Sequence, residues 1–266
     1  MTIDEKFIYE AKIPNEDGTI DFSKEEHETW GLLYKRQMNL LENRACDEFI
    51  QGAHKLNLSS NCIPQLTDIS HILYPLTGWE MTPVKALISF KEFFELLSEK
   101  KFPAATFIRR RQDIDYLKEP DIFHEIFGHA SMLTNKEFAN FTHRVGEIGL
   151  SMTKSERAML ARLYWFTVEF GLINTPKGIR IYGGGILSSK NETIYSLESN
   201  IPKRTSFDLI KVLTTPYRYD ELQKQYFIVD SFQNIFDILS HDLSKTFKLA
   251  QERSSITKEE TDIRSC

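Results

Sequence analysis

The sequence predicts a single domain that is mainly α-helical with a small amount of β-sheet. Of its 266 residues, 41% are hydrophobic and 12% aromatic, which is enough to bury one large core, and no Gly/Ser-rich linker divides the chain. Capping-box patterns that begin at Ser23 and Thr153 mark the starts of two long helices. We therefore expect one folded domain over residues 21–247, preceded by an N-terminal arm over 1–20 and followed by a polar tail over 248–266.

The expected elements follow from these signals in chain order. Apolar residues that recur with helical periodicity predict helices at 23–42, 43–57, 66–74, 89–100, 120–128, 136–150, 154–173, 205–213 and 231–249. Short extended segments, rich in aromatic and β-branched residues, predict strands at 84–88, 104–108, 179–182 and 226–229.

The charge pattern argues against nucleic acid and membrane partners. The formal net charge is −5, and the short basic run at 109–111 is too small for a nucleic-acid footprint. The longest apolar stretch is interrupted by Arg162 and Glu169 and falls short of the roughly 20 residues that a bilayer span needs. We therefore expect a soluble protein that acts on small molecules, as a monomer or a small homo-oligomer.

The cysteines indicate a reducing compartment. Cys46, Cys62 and Cys266 are scattered and odd in number, so they predict neither a disulfide framework nor a cysteine-rich zinc site. The N-terminal segment lacks the basic and apolar regions of a secretory signal. A cytoplasmic location is the expectation.

Two histidines, His124 and His129, stand five positions apart in one predicted helix. In a regular α-helix, five positions rotate a side chain by about 140°, so both rings reach one metal ion only if the helix ends between them. Pro120 favours a first helical turn, and Gly128 can adopt the non-helical conformation that would return His129 toward His124. Zinc proteases use a four-position spacing instead. The alternative is two histidines with unrelated roles.

A third candidate ligand is Glu169, a single carboxylate in a strongly apolar and aromatic segment. Burial of such a group is unfavourable unless it is paired or bound to a cation. Arg162 lies seven positions away, too far along a helix for a local ion pair. With His124 and His129, Glu169 would complete the two-histidine, one-carboxylate set of non-haem iron(II) oxygenases. The same set could hold catalytic zinc, although the spacing favours iron.

Three segments, 119–129, 164–172 and 182–189, resemble in order and separation the catalytic domain of the pterin-dependent aromatic amino acid hydroxylases. Residues 63–66 and 107–109 extend the similarity over most of the predicted domain. Within that family, the sequence is most similar to the short bacterial members that hydroxylate phenylalanine.

This resemblance implies a mainly helical catalytic domain over 21–247 in which His124, His129 and Glu169 bind iron(II). It also implies a tetrahydropterin cofactor, either tetrahydrobiopterin or a related pterin. The implied activity is that of a monooxygenase that converts L-phenylalanine to L-tyrosine. One atom of dioxygen would enter the aromatic ring, and the other would leave with the pterin.

By the same resemblance, four residues would bind the amino acid substrate. Arg109 would grip the carboxylate through its planar guanidinium, and Asp121 would orient that arginine. Ser188 would add a hydrogen bond, and Trp165 would line the site. Taken alone, Arg109 is equally compatible with an arginine that faces solvent.

The resemblance also implies a cofactor site formed by Leu87, Ile88, Phe93 and Glu125, with Phe93 stacked on the pterin ring and Glu125 reaching the pterin through water. Periodicity alone favours a different role for Phe93. It belongs to an ordinary core stripe at positions i, i+3, i+4 and i+7, made of Phe90, Phe93, Phe94 and Leu97.

Two positions depart from the family pattern. Ser131 stands where many relatives have proline, and Leu117 stands where relatives often have threonine. Neither change removes a ligand, but the second is expected to alter a contact to the amino acid.

Several functions stay open at this point. Hydroxylation of tryptophan or tyrosine is the nearest alternative, because pocket shape around Trp165 and residues 214–220 decides the substrate. A zinc-dependent hydrolase and a metal-stabilised binding protein without activity are alternatives from other classes.

Overall fold

The computed structural model describes residues 9–85, 88–115, 119–240, 243 and 245–253, and it confirms the predicted fold class. The α-helices are α1 Lys24–Leu41, α2 Asp47–Lys55, α3 Leu66–Thr77, α4 Phe90–Ser98, α5 Ser131–Leu133, α6 Lys136–Ser151, α7 Lys154–Tyr164, α8 Gly184–Leu187, α9 Lys190–Glu198, α10 Leu209–Thr214 and α11 Phe232–Ser240. The strands are β1 Glu80–Val84, β2 Lys101–Ala105, β3 Leu172–Thr175, β4 Gly178–Ile181, β5 Lys203–Ser206 and β6 Gln225–Val229. Two π-helical segments, His124–Ala130 and Trp165–Glu169, and a 3₁₀ turn at Arg111–Asp113 complete the elements.

Both predicted capping boxes are present. The Ser23 hydroxyl accepts from the Glu26 backbone N–H at 3.3 Å, and the Glu26 carboxylate accepts from the Ser23 N–H at 2.7 Å. Thr153 and Glu156 make the same reciprocal pair at the start of α7. Since each pair satisfies two N–H groups that a helix start leaves unbonded, the starts of α1 and α7 are fixed by local sequence.

The predicted end of a helix at Gly128 is wrong. The chain stays helical from His124 to Leu133 by widening into the π-helical segment His124–Ala130 and then continuing as α5. In a π-helix the hydrogen bonds join residues five apart, which brings such residues close to the same face. His124 and His129 therefore point together without a break in the helix.

Gly128 has a different role from the one expected. It is not among the described residues with positive φ, but a Cβ built on it would lie 2.7 Å from the backbone oxygen of Gly184. The small residue lets the first π-helical segment press against α8. This contact positions Ser188, at the end of α8, beside the histidines.

The helix that carries Glu169 ends four residues earlier than the predicted end at 173. Helix α7 stops at Tyr164 and widens into the second π-helical segment, whose closing bond runs from the Phe170 N–H to the Trp165 oxygen at 2.8 Å. The next residues turn into strand β3, which the sequence did not predict, because its apolar run is too short to separate strand from helix.

The strands form two sheets. Strands β1 and β2 pair in parallel, and the second sheet has the order β4-β3-β6-β5. Strands β4 and β6 confirm the predictions at 179–182 and 226–229. The other two predicted strands, 84–88 and 104–108, begin too late in the chain, since β1 starts at Glu80 and β2 at Lys101. Helix α4 ends at Ser98, and Lys100 turns the chain in the left-handed conformation directly before β2.

The sequence did not predict helices α8 and α9, and it assigned strand β5 to a helix. Helix α8 contains two glycines, which disfavour helix, and the start of α9 is polar. Residues predicted as helix at 205–213 instead begin with strand β5, and α10 starts only after the Asp208 cap. The predicted helix 231–249 contains α11, and residues 245–253 are also helical.

An aromatic core packs around the start of the first π-helical segment, through Phe127 in the segment and Phe123 directly before it. Phe123 and Phe127 stack with ring centroids 4.8 Å apart, Trp30 meets Phe123 at 5.3 Å, and Phe49 meets Phe127 at 5.3 Å. All four side chains are fully buried. The core therefore fixes the rotation of the segment.

Among the described helices, none is long and apolar enough to cross a membrane.

Replacement of Gly128 by alanine tests the close contact with α8. An unconstrained Gly→Ala change inside a helix stabilises by about 0.5–1 kcal/mol. Because the added methyl would meet a backbone oxygen, we expect Gly128→Ala to lower the free energy of unfolding by about 1–3 kcal/mol, measured by urea denaturation. A variant as stable as the wild type would show that the two segments do not press together.

Candidate metal centre and adjoining cavity

Three side chains from the two π-helical segments converge on one point. The Nε2 atoms of His124 and His129 lie 3.1 Å apart. Glu169 places one carboxylate oxygen 3.6 Å from the His124 Nε2 and the other 3.2 Å from the His129 Nε2. One ligand atom from each of the three residues lies within 4.8 Å of the other two, so the structure brings together the ligands that the sequence suggested.

Ser188 determines which nitrogen of His124 faces this point. The Ser188 hydroxyl donates its only hydrogen to the Gly184 backbone oxygen at 2.8 Å, so it can only accept from the His124 Nδ1 at 2.9 Å. The proton of neutral His124 therefore sits on Nδ1, and the Nε2 lone pair points toward His129 and Glu169.

The protonation states suit a cation. Burial lowers the pKa of His124 to about 4, so its ring is neutral near pH 7. Burial opposes ionisation of Glu169, but the contacts with His129 and His124 and the Gly185 backbone N–H together outweigh it and lower the pKa of that carboxyl. An imidazole lone pair and carboxylate oxygens this close together repel unless a proton or a cation lies between them. The donor set therefore fits a divalent metal such as iron or zinc.

Arg109 and Asp121 form a buried ion pair next to the histidines. Arg109 donates from Nε and Nη2 to the two oxygens of Asp121 at 2.8 and 2.9 Å, and its backbone N–H adds a third bond at 3.0 Å. Asp121 also accepts from the His124 backbone N–H at 3.0 Å. The alternative of a solvent-facing arginine is wrong, because only 8% of the Arg109 side chain is exposed. The pair ties Arg109 to the start of the π-helical segment that carries both histidines.

A cavity of about 310 Å³ opens beside His124 and Glu169. The residues expected to face substrate or cofactor that line it are Ile88, Phe93, Glu125 and Trp165. Its remaining wall is apolar and aromatic, and it includes Phe102, Tyr164 and Tyr217. Ser188, Arg109 and Asp121 are not part of that wall, and Leu87 lies outside the described residues, as does Leu117.

The phenylalanine stripe of α4 divides between core and cavity. Phe94 and Leu97 are fully buried, as periodicity predicts. Phe93 is half-buried, lines the cavity, and meets Tyr164 edge-to-face at 5.0 Å. Phe90 is 61% exposed and lines the mouth. The core assignment therefore holds for only half of the stripe.

Glu125 is a buried carboxyl on the cavity wall. Burial, followed by the negative charges of Glu169 and Asp121, raises its pKa well above the usual value for glutamate. It therefore favours the protonated form, in which it can donate a hydrogen bond to a ligand in the cavity.

Sequence reasoning missed the group that holds Trp165. The indole N–H donates to the Gln223 side-chain oxygen at 2.9 Å, and the ring stacks on Tyr217 with centroids 4.3 Å apart. Gln223 is 58 positions away and carries no motif, so no local signal marks it. The Gln223 backbone N–H in turn donates to the Glu192 carboxylate. The sequence does contain a signal for Glu192, because Ser189 and Glu192 have the three-residue spacing of a capping pattern at a helix start.

The fold and these side chains define a class of protein: a helical enzyme domain with a two-histidine, one-carboxylate metal centre open to an aromatic cavity. A comparison with known protein families matches residues 2–260 to the biopterin-dependent aromatic amino acid hydroxylases. The chain belongs to this family, which confirms the resemblance seen in its motifs.

Named relatives and solved structures agree with this assignment. The chain is 49% identical to the phenylalanine-4-hydroxylase of Vibrio cholerae over 235 residues, covering 88% of this chain and 81% of that protein. The apo structure of the cold-active phenylalanine hydroxylase from Colwellia psychrerythraea 34H matches with a TM-score of 0.89 at 50% identity, covering 93% of this chain and 95% of that one. The Chromobacterium violaceum phenylalanine hydroxylase with bound iron(III) and oxidised 7,8-dihydrobiopterin matches with a TM-score of 0.84 at 42% identity, covering 90% and 89%.

Loss of the Ser188 hydroxyl should weaken metal binding. Ser188→Ala removes the group that holds the proton of His124 on Nδ1, so we expect iron(II) affinity to fall about 10–100-fold in an anaerobic titration. Ser189→Ala is the matched control, because the neighbouring hydroxyl caps α9 and makes no bond to His124. Equal affinity in the two variants would mean that Ser188 does not orient the ring.

Glu192 should make stability depend on pH. Burial raises its pKa from 4.5 to about 7, so between these values the folded state binds the proton more tightly than the unfolded chain. Raising the pH from 5 to 8 should therefore destabilise the wild type relative to Glu192→Gln, by on the order of 2 kcal/mol. Urea unfolding of both proteins at the two pH values measures this difference. A constant difference would contradict the raised pKa.

Proposed function

We propose that this protein is an iron(II)- and tetrahydropterin-dependent monooxygenase that hydroxylates L-phenylalanine to L-tyrosine. The observation that carries the proposal is the convergence of His124, His129 and Glu169 beside an aromatic cavity, in a chain of this family. Family membership favours this reaction over a zinc-dependent hydrolase and over a binding protein without activity.

His124, His129 and Glu169 would hold the iron, with Ser188 fixing the tautomer of His124. Three protein ligands would leave coordination positions free for other molecules. When bound, the iron and the tetrahydropterin together supply the activation of dioxygen, which places one oxygen atom on the substrate ring and the other on the pterin. The protein orients both organic molecules and excludes water.

Arg109 would bind the substrate carboxylate. Its Nε and Nη2 atoms are bonded to Asp121, and these two bonds use one edge of the planar guanidinium. A guanidinium has five N–H donors, so its other edge suits a second carboxylate. Asp121 holds the arginine in place. Asp121 also accepts a hydrogen bond from the His124 backbone N–H, so the same carboxylate would position the substrate-binding arginine and a metal ligand.

The pterin would occupy the part of the cavity lined by Ile88, Phe93 and Glu125. The half-buried ring of Phe93 suits an aromatic contact with a flat heterocycle, and protonated Glu125 suits a hydrogen bond to it. Leu87 stays a prediction. The cavity volume of about 310 Å³ is at the lower end of the range for ligand pockets.

Phenylalanine is favoured over tryptophan and tyrosine for two reasons. The relatives that share 45–49% identity include several named phenylalanine-4-hydroxylase. In addition, the cavity that Trp165 and Tyr217 line has a volume of only about 310 Å³, which suits one ring better than a fused pair. We also propose a cytoplasmic protein without nucleic acid or membrane partners, supported by its acidic charge and its free Cys46 and Cys62.

Product analysis tests the proposal. The protein is reconstituted anaerobically with iron(II), then given tetrahydrobiopterin, phenylalanine and air, and tyrosine is measured. We expect tyrosine from the wild type and a loss of at least about 100-fold in His124→Ala, because one metal ligand is missing. Formation of hydroxytryptophan from tryptophan without tyrosine from phenylalanine would overturn the substrate assignment, and activity with zinc instead of iron would overturn the reaction class.

In the same assay, Arg109→Lys separates substrate binding from metal binding. Lysine keeps the charge but loses the planar two-pronged geometry, so the KM for phenylalanine should rise about tenfold or more while iron content stays unchanged. An unchanged KM would contradict the role of Arg109.

A further inference from the structure

The indole of Trp165 is held in the cavity wall by contacts on its N–H and on its ring. Its N–H donates to the Gln223 side-chain oxygen at 2.9 Å. Its ring stacks on Tyr217, and the Phe170 ring lies at a centroid distance of 4.6 Å. Together the hydrogen bond and the ring contacts leave the indole one favoured rotation, beside the metal ligand Glu169.

The side chain of Gln223 cannot turn over without loss of hydrogen bonds. Its amide nitrogen donates to the backbone oxygens of Arg218 and Glu221 at 2.7 and 3.2 Å. A carbonyl oxygen only accepts, so the NH₂ group must face these two residues and the amide oxygen must face Trp165.

The backbone of Gln223 is fixed by a second buried group. Its N–H donates to one oxygen of Glu192 at 3.0 Å, and the Tyr226 hydroxyl donates to the other oxygen at 3.0 Å. Gln223 and Glu192 are each only 5% exposed. Glu192 lies in the first turn of α9, which begins two positions after Ser188. The residue that supports the Trp165 wall and the residue that orients His124 are therefore close together in the chain.

We propose that Gln223 is a positioning residue that fixes the rotation of Trp165 and thereby sets which aromatic side chain the pocket accepts. The proposal rests on the proposed function, since it requires an aromatic amino acid to bind against this indole. With the indole fixed, the pocket admits a single ring. When the indole is released, the wall can turn away, and discrimination against the larger bicyclic ring of tryptophan decreases.

Gln223→Met tests this role. Methionine has a similar size but lacks the amide that accepts from the indole N–H and donates to the backbone oxygens of Arg218 and Glu221. Gln225→Met is the matched control: it lies two residues further along the chain, and its amide bonds to Thr205 and to the Tyr226 backbone instead. We expect the ratio of kcat/KM for phenylalanine to that for tryptophan to fall about tenfold in Gln223→Met, mainly through KM, and to stay at the wild-type value in Gln225→Met.

A spectroscopic measurement separates this inference from the proposed function. The other two tryptophans, Trp30 and Trp79, are fully buried. Stronger quenching of fluorescence by acrylamide in Gln223→Met than in the wild type would therefore show that Trp165 has become more accessible. If the wild type hydroxylates no aromatic amino acid, the proposed function fails, and the assignment of Gln223 as the residue that fixes the indole is judged by quenching alone.

The inference is overturned by an unchanged selectivity ratio, by an equal fall of kcat with every amino acid, or by quenching identical to that of the wild type. If Gln223→Met does not fold, Gln223→Asn replaces it, because it keeps the amide and shortens its reach. A smaller fall of the same ratio is then expected, and no fall overturns the proposal.

Discussion

The candidate metal centre depends on a widened helical geometry that occurs twice in the part of the chain that the structure describes. His124 and His129 can face one point because the backbone between them forms hydrogen bonds of the π-helical type, in which a residue and its fifth successor nearly overlie one another. The segment with Glu169 has the same geometry. Such turns are less favourable than a regular α-helix, and the fully buried aromatic core around Phe123 and Phe127 stabilises the first of them by packing around its start.

A second constraint is the close approach of backbones at Gly128 and Gly184. A side chain at Gly128 would strike the Gly184 oxygen, and one at Gly184 would lie 2.3 Å from the His129 ring. Because α8 sits so close, the Ser188 hydroxyl at its end reaches His124 while the Gly184 oxygen takes the hydroxyl hydrogen. Gly128 and Gly184 therefore affect the candidate site indirectly. They allow the Ser188 hydroxyl, which selects the tautomer of His124, to come within hydrogen-bond distance of the ring.

The sequence predicted the chemistry of the centre better than its backbone. Ligand spacing and an isolated carboxylate among aromatic residues were enough to suggest His124, His129 and Glu169, because metal binding restricts residue types strongly. The helix end at Gly128 was predicted wrongly, since a π-helical widening has the same local composition as a regular helix. Capping boxes were predicted correctly, because their bonds join residues three positions apart.

What the sequence could not supply were contacts between distant segments. The burial of Arg109 depends on Asp121, and the orientation of Trp165 depends on Gln223, whose position in the chain carries no motif. The strands predicted near residues 84 and 104 were placed too late in the chain. Pairing between β1 and β2, more than local composition, decides where each strand begins.

The second π-helical segment carries a further consequence. Trp165 and Glu169 are the first and last residues of this segment, so the wall proposed to contact a substrate ring and a candidate metal ligand share one short stretch of backbone. A backbone shift that widened this wall for a bulkier amino acid would therefore also move Glu169 relative to His124 and His129.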